Sequence, residues 1–333
     1  MRAETASDTG QEQSAGSGFH LPALAVRTLR GIGGAIATLG VTSFVIFASL
    51  SLAPGDPVTQ LLGGQSSEEA RLAKREELGL DEPLLVRYWS WLTAAFQGDL
   101  GTSMTYRGSV SELVGHRLET TAVLVVLAAL FVIVGGVAFG IIGGVSKRGG
   151  SVVAALVGLG VAVPSFVSAS VLIGVFAVQL RWFPTFGTGD GVLSTLWHLT
   201  LPAIALSLSY AAYVAQMTAA AMTEEREKEY VLTSRGRGVA EGVIVRKHIL
   251  RNAAFPVLTA SGLAVAGLVS GTVIVEQVFS VDGVGALLVS SVLSKDYAVV
   301  MAISMLIVII FLVIMAAVDA VQVVLDPRLK AVM

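Results

Sequence analysis

Few side chains in this 333-residue sequence could do chemistry, and their spacing limits what that chemistry is. The four histidines, His20, His116, His198 and His248, lie far apart, and no HExxH or comparable ligand pair joins any two of them. No GxxxxGK[ST] stretch is present, so nucleotide phosphates have no P-loop to sit in. Neither a Ser–Lys pair nor paired aspartates suggest a hydrolase inside the apolar runs. The absence of cysteine excludes a disulfide framework and any thiolate metal or redox site. Polar function therefore concentrates in one interval. Between Met222 and Arg251 stand seven basic residues, Arg226, Lys228, Arg235, Arg237, Arg246, Lys247 and Arg251. Such a set can recognise a partner through charge and hydrogen bonds.

The elements that must position these residues read as helix, break, helix. Glu224 to Arg235 is rich in helix formers, Gly236 and Gly238 interrupt, and Val239 to Asn252 resumes an apolar spacing through Val243, Ile244, Lys247 and Leu250. Long uncharged runs flank the interval on both sides. A helical hairpin at a membrane surface is a shape that a soluble partner can grip. The plainer reading is a solvated basic loop that only fixes topology.

Composition places the hairpin in a membrane protein. Hydrophobic residues make up 54% of the chain and charged residues 14%, with a mean hydropathy of +0.78. Six runs meet the ~20 apolar residues a helix needs to cross a bilayer: Gly31–Gly55, Thr120–Ser146, Ser151–Leu180, Val192–Met222, Ala253–Val275 and Tyr297–Val318. Lys147 and Arg148 follow the second run, and the seven basic residues follow the fourth. The short loops of the opposite side hold only Arg181 and Lys295. This asymmetry puts both termini in the cytoplasm. The polar segment 1–30 reads as a largely disordered cytoplasmic tail, 31–55 as the first span, 56–118 as an external helical segment, 119–326 as a five-helix domain with its polar loop at 223–252, and 327–333 as a cytoplasmic end.

The external segment is too long for a connector. Ser66-Ser67-Glu68-Glu69 is a capping-box pattern opening a helix that Gly79 closes. Pro83 starts another, with Leu84, Leu85, Tyr88, Trp91, Leu92, Ala95 and Phe96 on one face. That face is expected to lie at the membrane interface or pack on the spans, not to hold a ligand.

Particular strings then narrow the class. The run Tyr230-Val231, Thr233-Ser234-Arg235, Gly236-Arg237-Gly238, followed by His248, Arg251, Asn252 and Pro256, resembles the EAA loop of ATP-binding-cassette importer permeases. LGLDEPLLVRYWSWLTAAFQGDLGTSM resembles the segment after the first helix in the dipeptide, oligopeptide and nickel branch of that family. Gly55-Asp56-Pro57, Val163-Pro164-Ser165-Phe166, Arg181-Trp182-Phe183-Pro184, Leu201-Pro202-Ala203, Glu276-x-x-Phe279, Gly283-x-Gly285, Asp296-Tyr297 and Asp326-Pro327-Arg328 are similar to the same branch. The likeness runs from about Gly31 to Lys330. It departs at Ser234 and Gly236, where the loop has alanines, and at Arg237, where it has lysine. It departs also at Gln216, Asp282, Met315 and Gln322.

The resemblance implies an all-α polytopic membrane protein with the type I importer permease fold, six transmembrane helices, both termini inside and a helical external insertion. It implies a bacterial inner-membrane permease, not an enzyme, forming half of a path for a small solute, short peptides first and nickel, haem or another solute as the alternative. It implies a homologous second permease, two ATPase subunits or one two-headed chain, and an external substrate-binding protein. ATP and Mg would be bound by the ATPases and no cofactor by this chain. Glu229, Tyr230, Thr233, Ser234, Arg235, Gly236, Arg237, Gly238, Arg251 and Asn252 would form the ATPase-coupling loop. Pro164, Pro202, Glu276 and Phe279 would be gate or bending points. No metal ligands and no nucleic-acid surface are expected. An ion-coupled carrier would instead need ionisable residues at mid-bilayer, and a channel would need polar rings; the spans carry neither.

Because the chain has no cysteine, topology can be read on a clean background. Single cysteines at Ser67, Thr188 and Ser280 are expected to react with an impermeant thiol reagent on intact cells, and those at Ser146 and Ser234 to stay protected. Labelling of Ser234 from outside would invert the topology.

Overall fold

The computed structural model describes residues 23–52, 57–62, 66–77, 79–145 and 147–325. The segment before residue 23, Gly55-Asp56, Ser146 and Asp326-Pro327-Arg328 lie outside the described residues. In chain order the helices are α1 Ala23–Leu52, α2 Pro57–Leu62, α3 Glu68–Glu77, α4 Leu84–Phe96, α5 Val110–Val145, α6 Lys147–Ala162, α7 Ser165–Leu172, α8 Val192–Arg226, α9 Glu229–Gly236, α10 Glu241–Ile244, α11 Leu250–Val278, α12 Val284–Leu293 and α13 Tyr297–Leu325. Two π-helical stretches, Ile173–Gln179 and Val245–Ile249, extend α7 and join α10 to α11. An isolated bridge between Thr102 and Ser109 is the only extended pairing among the described residues.

Five helices are long and apolar enough to cross a membrane: α1, α5, α8, the run Glu241–Val278, and α13. The sixth candidate crossing is not the unbroken helix expected over Ser151–Leu180. It is divided between Ala162 and Ser165, and the two halves meet at 105°. Pro164 explains the break, because proline lacks a backbone N–H and its ring disfavours helical geometry at Val163. The Val163 carbonyl accepts a hydrogen bond from Ser209 Oγ at 2.9 Å, so an apolar environment does not leave it bare. Pro202 and Pro256 lie within α8 and α11, which both continue through them. The helix that carries the first crossing runs Ala23–Leu52, its membrane-spanning part is Gly31–Leu52 as expected, and the expected end at Gly55 lies outside the described residues.

α8 is the central helix, packed by α5, α6, α7 and α11. Its partnership with α5 depends on glycine spacing. Cβ atoms at Gly136, Gly140 and Gly144 would lie 2.8, 2.4 and 2.8 Å from Val214, Thr218 and Met222. Small residues every fourth position let two backbones approach, which is how helices associate where lipid is as apolar as their side chains. At the outer end Glu276 is fully buried. It accepts a hydrogen bond from Thr121 Oγ1 at 2.7 Å and from the Ala286 N–H at 2.9 Å. The first turn of α12 is thereby tied to α5 and α11.

The external helices are ended as their glycines foretell. Gly79 and Gly98 adopt φ of +61° and +85°, and Leu80 and Asp99 donate to Arg75 and Ala94, six residues closing each helix. Ser67 caps α3 through the Ala70 N–H. α4 differs from expectation. Tyr88 and Trp91 pack on Phe44 and Phe47 of α1, but Leu85 and Phe96 point away and are 67% and 84% exposed.

Gly140→Ala is expected to destabilise the purified chain by about 1–3 kcal/mol, the usual cost of overpacking. Gly135→Ala, where an added Cβ meets nothing within 4 Å, serves as the neutral control. Equal thermal midpoints for the two variants would remove the glycine contact from the account of the fold.

Candidate functional site

The basic interval folds as a compact unit beneath the cytoplasmic ends of α5, α8 and α11. Its first helix is not continuous from Glu224 to Arg235. α8 ends at Arg226, and Lys228 is extended (φ −70°, ψ 146°) before α9 begins. Six consecutive charged residues, Glu224 to Glu229, hide this break in any propensity reading. Gly236 closes α9, and the turn runs over Arg237 to Ala240. Gly238 has φ +76°. Its N–H donates to Arg235 at 2.9 Å, and the next N–H, of Val239, donates to Ser234 at 3.2 Å. These two bonds are the helix-terminating pair that needs a left-handed residue, which glycine supplies at least cost.

A small apolar core holds the hairpin in place. Met222, Val231, Ile244, Ile249 and Ala253 are buried together, with Ile141, Val145, Ala221, Tyr230, Val245 and Leu250 around them. Polar links surround that core. Glu225, almost fully buried, binds Lys228 Nζ and accepts from the Tyr230 hydroxyl. The same hydroxyl accepts from Asn252 Nδ2 at 2.9 Å. One phenol oxygen thus joins the end of the fourth span, α9 and the start of the fifth. Arg226 donates to the Gly144 and Val145 carbonyls at 2.8 and 2.9 Å, capping the last turn of α5. Glu241 gathers Arg235 at 2.7 Å and Arg226 at 3.7 Å.

The expected coupling residues divide into two groups. Tyr230, Ser234, Arg235 and Asn252 bond within the hairpin, Ser234 through its hydroxyl to the Tyr230 carbonyl at 2.7 Å. Glu229, Thr233, Gly236, Arg237, Gly238 and Arg251 are exposed. Beside them Leu232, Val239 and Val243 are exposed apolar residues, so the outward face mixes charge with greasy contacts. Glu225 and Glu241 were not among the residues singled out from sequence. Their partners are set by folding, and the only advance signal was acidic residues placed within a basic interval.

The other singled-out residues lie elsewhere. Glu276 and Phe279 are enclosed at the outer end of α11, Pro202 is buried in α8, and Pro164 marks the bend between α6 and α7. None of them meets the hairpin. No group of three or more potential metal ligands exists among the described residues.

Hydrogen bonding to Glu225 raises Lys228 above its ordinary 10.5, and desolvation first, then Glu225, raises Tyr230 above 10.0. For both groups the protonated form is favoured by folding. Their contribution is complete below the unfolded values and is lost as pH rises through the folded ones.

Three comparisons bear on this arrangement. Residues 136–331 match the family described as binding-protein-dependent transport system inner membrane component, and residues 25–125 match the N-terminal region of such components. A probable peptide ABC transporter permease protein y4tP of Sinorhizobium fredii is 34% identical over 313 residues, covering 92% of this chain and 100% of that one. The glutathione transport system permease protein GsiC of Salmonella choleraesuis is 34% identical over 300 residues, covering 89% and 96%. Among solved structures, an inward-facing MetNI methionine ABC transporter chain superposes with a TM-score of 0.55 at 19% identity, covering 64% of this chain and 96% of that one; this likeness concerns the fold.

Tyr230→Phe is expected to speed amide hydrogen exchange across α9 at least about tenfold, since a hydrogen bond to a charged group contributes roughly 1.5–3 kcal/mol and Lys228 remains on Glu225. Exchange in α5 and α8 should not change. In the wild-type chain α9 protection should be flat between pH 6 and 9, after correction for intrinsic exchange, and should fall above about pH 10. Unchanged α9 protection in Tyr230→Phe would show that the apolar core alone holds the hairpin.

Proposed function

The chain belongs to the family of binding-protein-dependent transport system inner membrane components, and we propose that it forms half of the translocation path of an ATP-driven importer of short peptides. The observation that carries the reading is the hairpin. It is braced from within by Tyr230, Arg226 and Glu241, and its outward face is left to Glu229, Thr233, Arg237, Gly238 and Arg251. A braced loop can pass a push from a soluble partner into the spans, which a floppy one would absorb.

In this reading the cytoplasmic partners are two ATPase subunits, or one two-headed chain, that bind ATP and Mg and grip the hairpin and its counterpart on a second, homologous permease. An external binding protein delivers the cargo. The bend at Pro164 and the proline within α8, Pro202, are the places where the bundle yields as it passes between inward- and outward-facing packings. Glu276 and Phe279 hold the outer end together during that change. Peptide is the favoured cargo because relatives over nearly the whole length are named for peptide and glutathione transport, and glutathione is itself a tripeptide. The test is binding and uptake by the complete transporter across peptides of graded length, free nickel ions and haem. Uptake of nickel or haem with no peptide bound would replace the cargo and keep the machinery.

Gly238→Asp separates coupling from folding. A Cβ at this position meets nothing within 4 Å in the chain itself, so the only internal cost is the left-handed backbone, of order 1–2 kcal/mol. The variant is expected to insert normally, to co-purify with little or no ATPase and to lose uptake. Arg237→Ala should be milder, because an exposed ionic contact contributes less than about 1 kcal/mol. Full uptake by a Gly238→Asp complex would mean that the hairpin is only a topological anchor.

A further inference from the structure

At the outer end of α1 two adjoining cavities of about 330 and 170 Å³ share Phe47, Arg87 and Trp91. The larger is also lined by Glu82 and Ser90. The smaller runs between α1 and α13 past Leu50, Tyr297 and Met301. Arg87 is half-buried, and its guanidinium lies 5.7 Å from the centre of the Phe47 ring. Among the described residues it has no carboxylate or carbonyl partner. A guanidinium in that setting offers a forked set of donors that fits a phosphate.

The walls of this site are fixed. Tyr88 and Trp91 stack on each other, Tyr88 meets the Phe47 ring edge-on and Trp91 meets it tilted, and the Tyr88 and Ser43 hydroxyls bond at 2.8 Å. The level of the site is also fixed. Leu85, Trp89 and Phe96, on the outward side of α4, are 67%, 65% and 84% exposed. An amphipathic helix with such a face lies at the boundary of headgroups and acyl chains, where arginine side chains meet lipid phosphates.

We propose that this groove holds one phospholipid of the outer leaflet bearing a primary ammonium headgroup. The phosphodiester pairs with Arg87, the ammonium faces the Glu82 carboxylate, and an acyl chain runs between α1 and α13 along Leu50 and Met301. Glu82 makes the choice of headgroup: it attracts an ammonium, whereas a glycerol headgroup gains no ion pair there and leaves the lipid's negative charge beside the carboxylate.

The test uses the full chain in nanodiscs of equimolar phosphatidylethanolamine and phosphatidylglycerol, released into a native mass spectrometer. One retained phosphatidylethanolamine per chain is expected. Arg87→Ala should lower its retention at least roughly fivefold, about 1 kcal/mol. Glu82→Gln should keep a lipid but lose the preference between headgroups. Leu50→Trp, which leaves Arg87 intact and fills the apolar groove, should also lose the lipid and serves if Arg87→Ala does not fold. Millimolar inorganic phosphate should not displace the lipid. Retention unchanged by Arg87→Ala or by Leu50→Trp, a preference for phosphatidylglycerol in the wild type, or displacement by inorganic phosphate would each overturn the proposal.

Discussion

The close contact of α5 with α8 is the constraint on which the other features depend. Lipid does not press two apolar helices together as water would, so the pair is held by van der Waals contact at short range. The carbonyls of Ala211, Ala215 and Ala219 lie 2.9, 2.7 and 3.3 Å from where Cβ atoms of Gly136, Gly140 and Gly144 would be, a separation that only glycine permits. Because the stripe continues to the cytoplasmic end, it brings the last carbonyls of α5 within reach of Arg226. The hairpin is therefore suspended from a contact that begins deep in the bundle.

The outer end is organised by a buried carboxylate. Glu276 directs one oxygen to Thr121 and the other to an N–H in the first turn of α12, while the Val284 N–H donates to Thr121 Oγ1 at 2.8 Å. A Cβ at Gly283 would fall 2.3 Å from Glu276 Cδ, and one at Gly285 would fall 2.6 Å from Val273 Cα. The Glu276-x-x-Phe279 and Gly283-x-Gly285 strings, separate in sequence, are thus one packing unit. The carboxylate also meets the positive end of the α12 dipole.

Much of the fold was legible because its signals are local. Uncharged runs of sufficient length marked the spans, and glycines after Glu77 and Arg237 marked helix ends that require a left-handed residue. What escaped the sequence depends on distant partners. Arg226 reads as one more basic residue until folding brings it to carbonyls more than 80 positions earlier. Pro164 announced a bend, but the 105° angle depends on how α7 packs against α8 and α11. The spacing over Leu84–Phe96 predicts a single apolar face; the helix has two, one packed on α1 and one exposed at Leu85, Trp89 and Phe96, and periodicity cannot divide them. The coupling role expected of the hairpin rests on resemblance, and its internal bracing is foretold by none of these signals.

One continuous helical run joins the two ends of the molecule. From Glu241, which binds Arg235, to Val278, two residues beyond Glu276, the chain makes no break. At 1.5 Å per residue its 38 residues reach roughly 57 Å. A rod of that length pivoting near its middle turns a tilt of roughly 10° into about 5 Å of opposite travel at its tips. The π-helical turn at Val245–Ile249 and Pro256 both lie in the cytoplasmic half, where they concentrate whatever compliance the rod has. The outer half is stiffer, so leverage applied at the hairpin arrives at α12 as displacement rather than as bending.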